Sequence, residues 1–196
     1  MNFINRDKEW FISCLENKPL VEKLKKINLI ITDIDGCLTD GSVYYLDSQE
    51  IQKGFSIQDG FMMAKCNKPG MPHLALLSGR SDKSAKSRAK TLGIPDDLYY
   101  EGFSRGKTKA VLKIQEKLNI KKEETIFFGD DLLDLETKEN ITILASPTNA
   151  LFYIHENSEI IVPRSGGNGA MRLLLDLILY AQERHPAQEI IKNALK

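Results

Sequence analysis

From residue 28 onward, short apolar runs alternate with charged segments of helical length. Six of the apolar runs are predicted strands, namely Leu29–Ile34, Leu74–Ser78, Leu98–Tyr100, Thr125–Gly129, Ile141–Ala145 and Ile160–Val162. Parallel neighbours in a sheet need a crossover long enough to hold a helix, so this alternation is typical of a parallel sheet. The pattern predicts an α/β fold, with a mostly parallel sheet and helices on both of its faces.

Helix starts and one hairpin complete the predicted elements. The helix starts lie near Asp59, Asp82, Lys107, Asp131, Pro147 and Gly169. Within residues 42–56, apolar side chains at Val43–Tyr45, Ile51 and Phe55 flank the polar segment Asp47–Glu50. This arrangement predicts a β-hairpin with a loop of about four residues.

The chain is long enough for one well-filled core. It has 196 residues, of which 42% are hydrophobic. Ahead of the first strand, an amphipathic segment with a proline at position 19 predicts a helical extension over residues 1–27. We expect the main domain to cover residues 28–185, and residues 186–196 to form a C-terminal tail.

Composition argues against several kinds of partner. Lysine plus arginine balances aspartate plus glutamate at 27 each, so no global field attracts nucleic acid or an anionic membrane. The three cysteines, Cys14, Cys37 and Cys66, lack metal-ligand spacing and fit reduced thiols. The sequence shows no signal-peptide pattern and no apolar run of the ~20 residues that cross a bilayer. We therefore expect a cytoplasmic protein with no nucleic-acid or membrane partner.

Two acidic clusters follow predicted strands. Asp33 and Asp35 end the first strand and precede a glycine, and Gly129–Asp134 carries three more aspartates after another strand. Ligands of open α/β sheets collect at the carboxyl ends of strands, so both clusters are expected in one crevice. Several carboxylates at one place favour a hard divalent cation with oxygen ligands, with Mg²⁺ as the leading candidate. The alternative is a pair of independent helix caps at Asp35 and Asp131.

Hydrogen-bond donors lie between the two acidic clusters in the chain. Ser78, Gly79 and Arg80 end the second main strand, and Lys107 starts a helix. A hydroxyl, exposed backbone N–H groups and an ammonium are the donors that hold a transferring phosphoryl group. Each is ordinary alone, but the ordered set indicates phosphoryl chemistry.

This ordered set resembles the four motifs of the haloacid dehalogenase superfamily. The DxDGxLT pattern is residues 33–39, the serine is Ser78, the lysine is Lys107 and the GDDxxD pattern is residues 129–134. The resemblance spans roughly residues 28–175 and implies a Rossmann-like sheet with a β-hairpin flap. Only 42 residues separate Asp35 from Ser78 and 22 separate Lys107 from Asp130, so neither interval can hold a cap domain.

Four segments resemble a narrower group, the 3-deoxy-D-manno-octulosonate 8-phosphate phosphatases. They are residues 33–41, 78–80, 129–132 and 166–170. The resemblance implies a Mg²⁺-dependent phosphomonoesterase of the lipopolysaccharide precursor pathway that acts on this sugar-acid phosphate. It also implies a homotetramer in which the hairpin of one subunit covers a neighbour's site. Alternatives are a phosphatase of a nine-carbon sialic-acid-type 9-phosphate, a phosphotransferase or mutase, and a non-catalytic oligomerisation module.

The resemblance implies roles for the first acidic cluster. Asp33 is the expected nucleophile, which forms an aspartyl-phosphate and splits the hydrolysis into two steps. Asp35 is the expected general acid and base. The expected Mg²⁺ ligands are the side chains of Asp33 and Asp130 and the backbone carbonyl of Asp35.

Further roles concern the donors and the second acidic cluster. Ser78 is expected to donate to the phosphoryl oxygens, and Lys107 to balance the charge of nucleophile and phosphate. Asp131, with Asp134 as a second candidate, is expected to orient Lys107 or a metal-bound water.

Recognition of the sugar acid is expected from a loop and two arginines. Arg80 follows the Ser78-Gly79 turn, and Arg88 lies eight residues further along the next helix, about 80° away in rotation and so close enough to face the same crevice. The expected substrate-binding residues are Asp35, Ser56, Ile57, Gln58, Asp59, Gly60, Gly79, Arg80, Arg88 and Lys107. Gln58 and Ala64 stand where the related phosphatases usually carry arginine.

Overall fold

The computed structural model describes residues 5–45 and 51–196. Its main sheet is built from β1 (Leu29–Thr32), β4 (His73–Leu77), β5 (Tyr99–Tyr100), β6 (Thr125–Phe128), β7 (Ile143–Ser146) and β8 (Ile160–Ile161). The strand order is β5-β4-β1-β6-β7-β8, and every neighbouring pair is parallel. The predicted α/β class with a mostly parallel sheet is confirmed.

A separate two-stranded sheet forms the predicted hairpin. It consists of β2 (Tyr44–Tyr45) and β3 (Ile51–Gln52), which pair antiparallel. The predicted loop Asp47–Glu50 lies outside the described residues. Tyr44 and Tyr45 are exposed on this ribbon.

Helices flank the main sheet. They are α1 (Arg6–Glu16), α2 (Lys18–Leu24), α3 (Ile57–Met63), α4 (Lys83–Thr91), α5 (Lys107–Leu118), α6 (Phe152–His155), α7 (Ala170–Ala181) and α8 (Gln188–Leu195). The apolar α7 packs against α1, α2 and α3. Among the helices of residues 5–45 and 51–196, none combines the length and apolar character needed to span a bilayer. The domain limits at residues 27 and 185 stay a prediction.

The central strands align the ends that carry the acidic clusters. All residues of β1 and β6 are buried. In the register of the sheet, Thr32 pairs with Leu76 on one side and with Phe128 on the other. The segments that follow β1, β4 and β6 therefore leave the sheet at the same edge, where ligands of such sheets bind.

One predicted helix start is wrong, the one near Pro147, and the helix that begins after Asp131 is of another type than expected. The segment after Asp131 is a 3-10 helix, Leu132–Asn140, at whose start the Asp134 carboxylate accepts hydrogen bonds from the backbone N–H groups of Asp130 and Asp131. Residues 147–150 form a turn, and the helix begins only at α6. In that turn the Asn149 side chain donates to the Gly36 carbonyl and accepts from the Gly166 N–H.

Gly166 lets the late glycine-rich loop pack against the loop that follows β1. A Cβ at this position would lie 1.8 Å from the Gly36 oxygen and 2.7 Å from the Thr39 oxygen, both of them backbone atoms. Only a residue without a Cβ permits this approach.

We expect Gly166→Ala to destabilise the protein by about 2 kcal/mol, because backbone atoms must move to make room for the methyl group. Thermal unfolding should then occur roughly 4–8 °C lower. Gly54→Ala is the matched control, since its Cβ would meet nothing within 4 Å. Equal melting temperatures for the two variants would contradict the packing described for Gly166.

Candidate active site

A pocket of about 370 Å³ opens at the carboxyl edge of the main sheet. Its lining residues come from the segments after β1, β4, β5 and β6, and they are Asp33, Asp35, Gly41, Gly79, Arg80, Ser104, Lys107, Asp130, Asp131 and Leu133. Residues that are far apart in the sequence therefore meet as predicted, with both acidic clusters and the lysine in one crevice.

The Lys107 ammonium joins the two acidic clusters. Its Nζ lies 2.7 Å from Asp33 Oδ1 and 2.6 Å from Asp134 Oδ1, and all three side chains are buried. Gly106, with φ of 78°, turns the chain into α5 and brings Lys107 to this place. The backbone N–H of Asp33 donates to the Phe128 carbonyl, which fixes the first acidic cluster to β6.

Burial and charge shift the pKa values of these groups. Burial raises the pKa of Asp33 against the pull of the Lys107 ammonium, with Asp134 adding to the rise. Burial also raises the pKa of Asp130 to about 7, again with a contribution from Asp134. For Lys107, burial lowers the pKa, but the neighbouring carboxylates outweigh it and hold the pKa above its usual range.

This carboxylate cluster fits a divalent cation. One oxygen each from Asp33, Asp130 and Asp134 lies within 4.8 Å of the others. Both oxygens of Asp134 are already engaged, because Oδ1 accepts a hydrogen bond from Lys107 and Oδ2 accepts from two backbone N–H groups. The predicted side-chain ligands Asp33 and Asp130 remain, and a cation would offset the burial and the carboxylate repulsion that raise their pKa values.

Ser78 and its neighbours supply donors beside the cluster. Ser78 directly follows β4, is buried, and accepts a hydrogen bond from the Arg80 N–H at 3.1 Å. Because its oxygen accepts that bond, the hydroxyl hydrogen can be donated to another group. Gly79 and the exposed Arg80 line the pocket.

Asp131 and Asp134 differ from expectation. Asp134, the second candidate in the sequence, contacts Lys107, whereas the exposed Asp131 caps the N–H of Leu132 and lies 3.5 Å from the Tyr153 hydroxyl. Asp131 lines the pocket, so a contact with a metal-bound water stays a prediction.

The expected sugar-binding loop does not line this pocket, and neither does Arg88. Asp59 is buried and accepts a hydrogen bond from the backbone N–H of Arg172, at the start of α7. Arg88 donates to the Ser56 carbonyl at 3.1 Å, so its guanidinium supports the start of α3. Sugar contacts by residues 56–60 and Arg88 stay a prediction.

One residue of the site, Lys53, was missed by the sequence analysis. Its Nζ lies 2.6 Å from Asp35 Oδ1 and 2.5 Å from Asp82 Oδ2. A single lysine after a hairpin strand carries no recognisable pattern, and the sequence around Asp82 predicts only the start of a helix. The contact arises where β3 packs against α4, the helix that Asp82 caps.

Comparison with known proteins agrees with the family that the sequence motifs resemble. The haloacid dehalogenase-like hydrolase family matches residues 62–140. The 3-deoxy-D-manno-octulosonate 8-phosphate phosphatase of Escherichia coli K12 is 32% identical over 163 residues, which are 83% of this chain and 85% of that protein. The Haemophilus influenzae phosphatase of the same name is 30% identical, over 89% of this chain and 95% of that protein. This chain belongs to the haloacid dehalogenase-like hydrolase family.

Solved structures of the family agree with the fold. The crystal structure of the Moraxella catarrhalis phosphatase of the same name, in complex with a magnesium ion, a phosphate ion and KDO, has a TM-score of 0.81 and 30% identity. The match covers 92% of this chain and 99% of that one. The predictions of a haloacid dehalogenase-like phosphoric monoester hydrolase and of Mg²⁺ as its cofactor are confirmed.

The raised pKa of Asp130 gives a testable pH dependence. Its folded-state pKa of about 7 exceeds the ordinary value of 3.8, so folding favours the protonated form. The corresponding stability is full below pH ~4 and is lost as pH rises through about 7. Without metal, we expect Asp130→Asn to melt a few degrees above wild type at pH 8 and close to wild type at pH 5.

Thermal unfolding with and without Mg²⁺ tests whether Asp130 binds the metal. Metal should raise the melting temperature of wild type at pH 8 and leave that of Asp130→Asn almost unchanged, because the variant lacks a carboxylate ligand. An equal metal-induced shift in both proteins would remove Asp130 from the metal site.

Proposed function

We propose that this enzyme hydrolyses 3-deoxy-D-manno-octulosonate 8-phosphate to 3-deoxy-D-manno-octulosonate and phosphate, in the lipopolysaccharide precursor pathway. The curated relatives that match over most of their length carry the name of this activity. The observation that carries the chemistry is the placement of Asp33 in a pocket, paired with Lys107 and next to Asp130.

The reaction follows from the two carboxylates after β1. A carboxylate oxygen of Asp33 attacks phosphorus, and the bond between phosphorus and the sugar oxygen breaks. Asp35 gives its proton to that sugar oxygen and so releases the alcohol. Asp35 then takes a proton from water, whose oxygen attacks the aspartyl-phosphate, and phosphate leaves with Asp33 regenerated.

The remaining residues balance the charge of the phosphoryl group and of Asp33 and hold these groups in position. Mg²⁺, when held by the side chains of Asp33 and Asp130 and by the Asp35 carbonyl, supplies a positive charge that offsets the phosphoryl charge. Lys107 balances the charge of Asp33, and Asp134 holds Lys107 in place. The Ser78 hydroxyl donates to a phosphoryl oxygen.

Substrate choice is assigned to the guanidinium of Arg80, which is exposed at the pocket and suits a carboxylate. We expect the octulosonate phosphate to give the highest kcat/KM, followed by a nine-carbon sugar-acid 9-phosphate, with a neutral hexose phosphate lowest. Gln58, in place of a usual arginine, keeps the nine-carbon acid as the second candidate.

Steady-state kinetics on these three compounds tests the assignment. Arg80→Met should lower kcat/KM for both acids by about 10- to 100-fold and for the hexose phosphate much less, because only the acids carry the carboxylate. Arg184→Met, at an exposed arginine near the C-terminus, is the matched control. A hexose phosphate that is hydrolysed as efficiently as either acid would rule out carboxylate recognition.

Assembly is part of the same proposal. The short hairpin exposes Tyr44 and Tyr45, and an isolated two-stranded ribbon is marginal in water. We expect a cytoplasmic homotetramer in which the hairpin covers a neighbouring subunit's site. Light scattering at micromolar concentration should give the mass of four chains, and a fully active monomer would refute this assembly.

A further inference from the structure

Lys53 brings a positive charge from the hairpin to the side of Asp35. It directly follows β3, and its side chain is fully enclosed. The Asp35 side chain next to it keeps 22% of its surface exposed and lines the pocket. Lys53 itself is not among the residues that line the pocket, so it contacts Asp35 from outside that lining.

A second carboxylate fixes the lysine from another element. Asp82 caps α4 through its Oδ1, which accepts from the Ala85 N–H at 2.8 Å, and it binds Lys53 through its Oδ2 at 2.5 Å. The contact with Asp82 is an aligned hydrogen bond, whereas the contact with Asp35 is an ion pair without hydrogen-bond alignment. Lys53 thus joins the hairpin, the loop after β1 and the start of α4.

Enclosure of an ammonium is unfavourable unless carboxylates compensate for its lost hydration. Lys53 has two such carboxylates, Asp35 and Asp82, on the segments that follow β1 and β4. If the hairpin moved away, both carboxylates would lose this partner. The position of the hairpin and the orientation of Asp35 are therefore coupled.

The ion pair also selects which oxygen of Asp35 is available. Lys53 lies against Oδ1, so Oδ2 remains for the pocket. Proton transfer needs one oxygen within hydrogen-bond reach of the leaving oxygen and then of the attacking water. A side chain that is free to rotate would meet this condition only part of the time.

We infer that Lys53 is a positioning residue, which holds Asp35 in the orientation for proton transfer. This inference rests on the proposed roles of Asp33 and Asp35. The simpler alternative is that Lys53 only anchors the hairpin, through Asp82.

The test compares two substrates that differ in their need for an acid. p-Nitrophenolate leaves without a proton, whereas the sugar alkoxide needs one from Asp35. We expect Lys53→Met to lower kcat for the sugar-acid phosphate by about 10- to 100-fold, because it loses part of the usual contribution of acid–base catalysis. KM should change by less than about twofold.

With p-nitrophenyl phosphate, Lys53→Met should slow only the second step of the reaction. Phosphorylation of Asp33 stays fast, but the second step still needs Asp35 as a base. A rapid-mixing experiment should therefore show a burst of p-nitrophenolate close to one per active site, and acid quenching should recover phosphorylated Asp33. Lys53→Arg should recover part of the lost kcat, because it keeps the charge.

Two further variants serve as comparisons. Asp82→Asn keeps the cap of α4, since asparagine caps as well as aspartate, but it removes one charge partner of Lys53. It should give a smaller loss of kcat with the same burst. Lys86→Met, at an exposed lysine of α4, is the matched control and should behave as wild type.

A Lys53→Met enzyme with wild-type kcat for the sugar-acid phosphate would overturn the inference. Equal losses on both substrates without phosphorylated Asp33 would also overturn it and leave Lys53 as an anchor. If Lys53→Met does not fold, the absence of a burst in Asp82→Asn is decisive against the inference. A wild-type enzyme that turns over without phosphorylating Asp33 would instead remove the proposed function, and the inference with it.

Discussion

The buried pairing of Lys107 with Asp33 and Asp134 is the interaction on which the site depends. Carboxylates that converge at the edge of a sheet repel one another, and burial adds to the cost of their charge. One ammonium between two of them offsets part of this cost and leaves Asp33 and Asp130 for a cation. Asp134 also accepts hydrogen bonds from two backbone N–H groups after β6. One carboxylate therefore both pairs with Lys107 and fixes the loop that carries Asp130.

The hairpin adds a second pairing of the same kind. Lys53 lies between Asp35 and Asp82, as Lys107 lies between Asp33 and Asp134. In a fold without a cap domain, water reaches the pocket unless another element covers it. Lys53 comes from the hairpin and contacts Asp35, the proposed general acid and base. The element expected to cover the site would then also orient the residue that transfers the proton.

Much of this arrangement could be predicted from the sequence. Asp33 and Asp130 follow buried strands, and the order of parallel strands brings such positions to one edge. The direction of individual loop side chains could not be predicted. Asp131 and Asp134 belong to the same motif, and only the hydrogen bonds to Asp130 and Asp131 N–H groups place Asp134 toward Lys107. Likewise, Lys53 is 18 residues from Asp35, and it meets Asp35 through the tertiary packing of β3 against α4.

The central claim is that Asp33 carries the phosphoryl group during turnover. The most direct measurement is rapid acid quenching of wild type with the labelled sugar-acid phosphate and Mg²⁺, followed by peptide mapping, with Asp33→Asn as control. We expect label on the peptide that contains Asp33 to appear before phosphate is released, and to be absent from the inactive control. Phosphate release at the wild-type rate by Asp33→Asn, with no label on that peptide in either protein, would contradict the account.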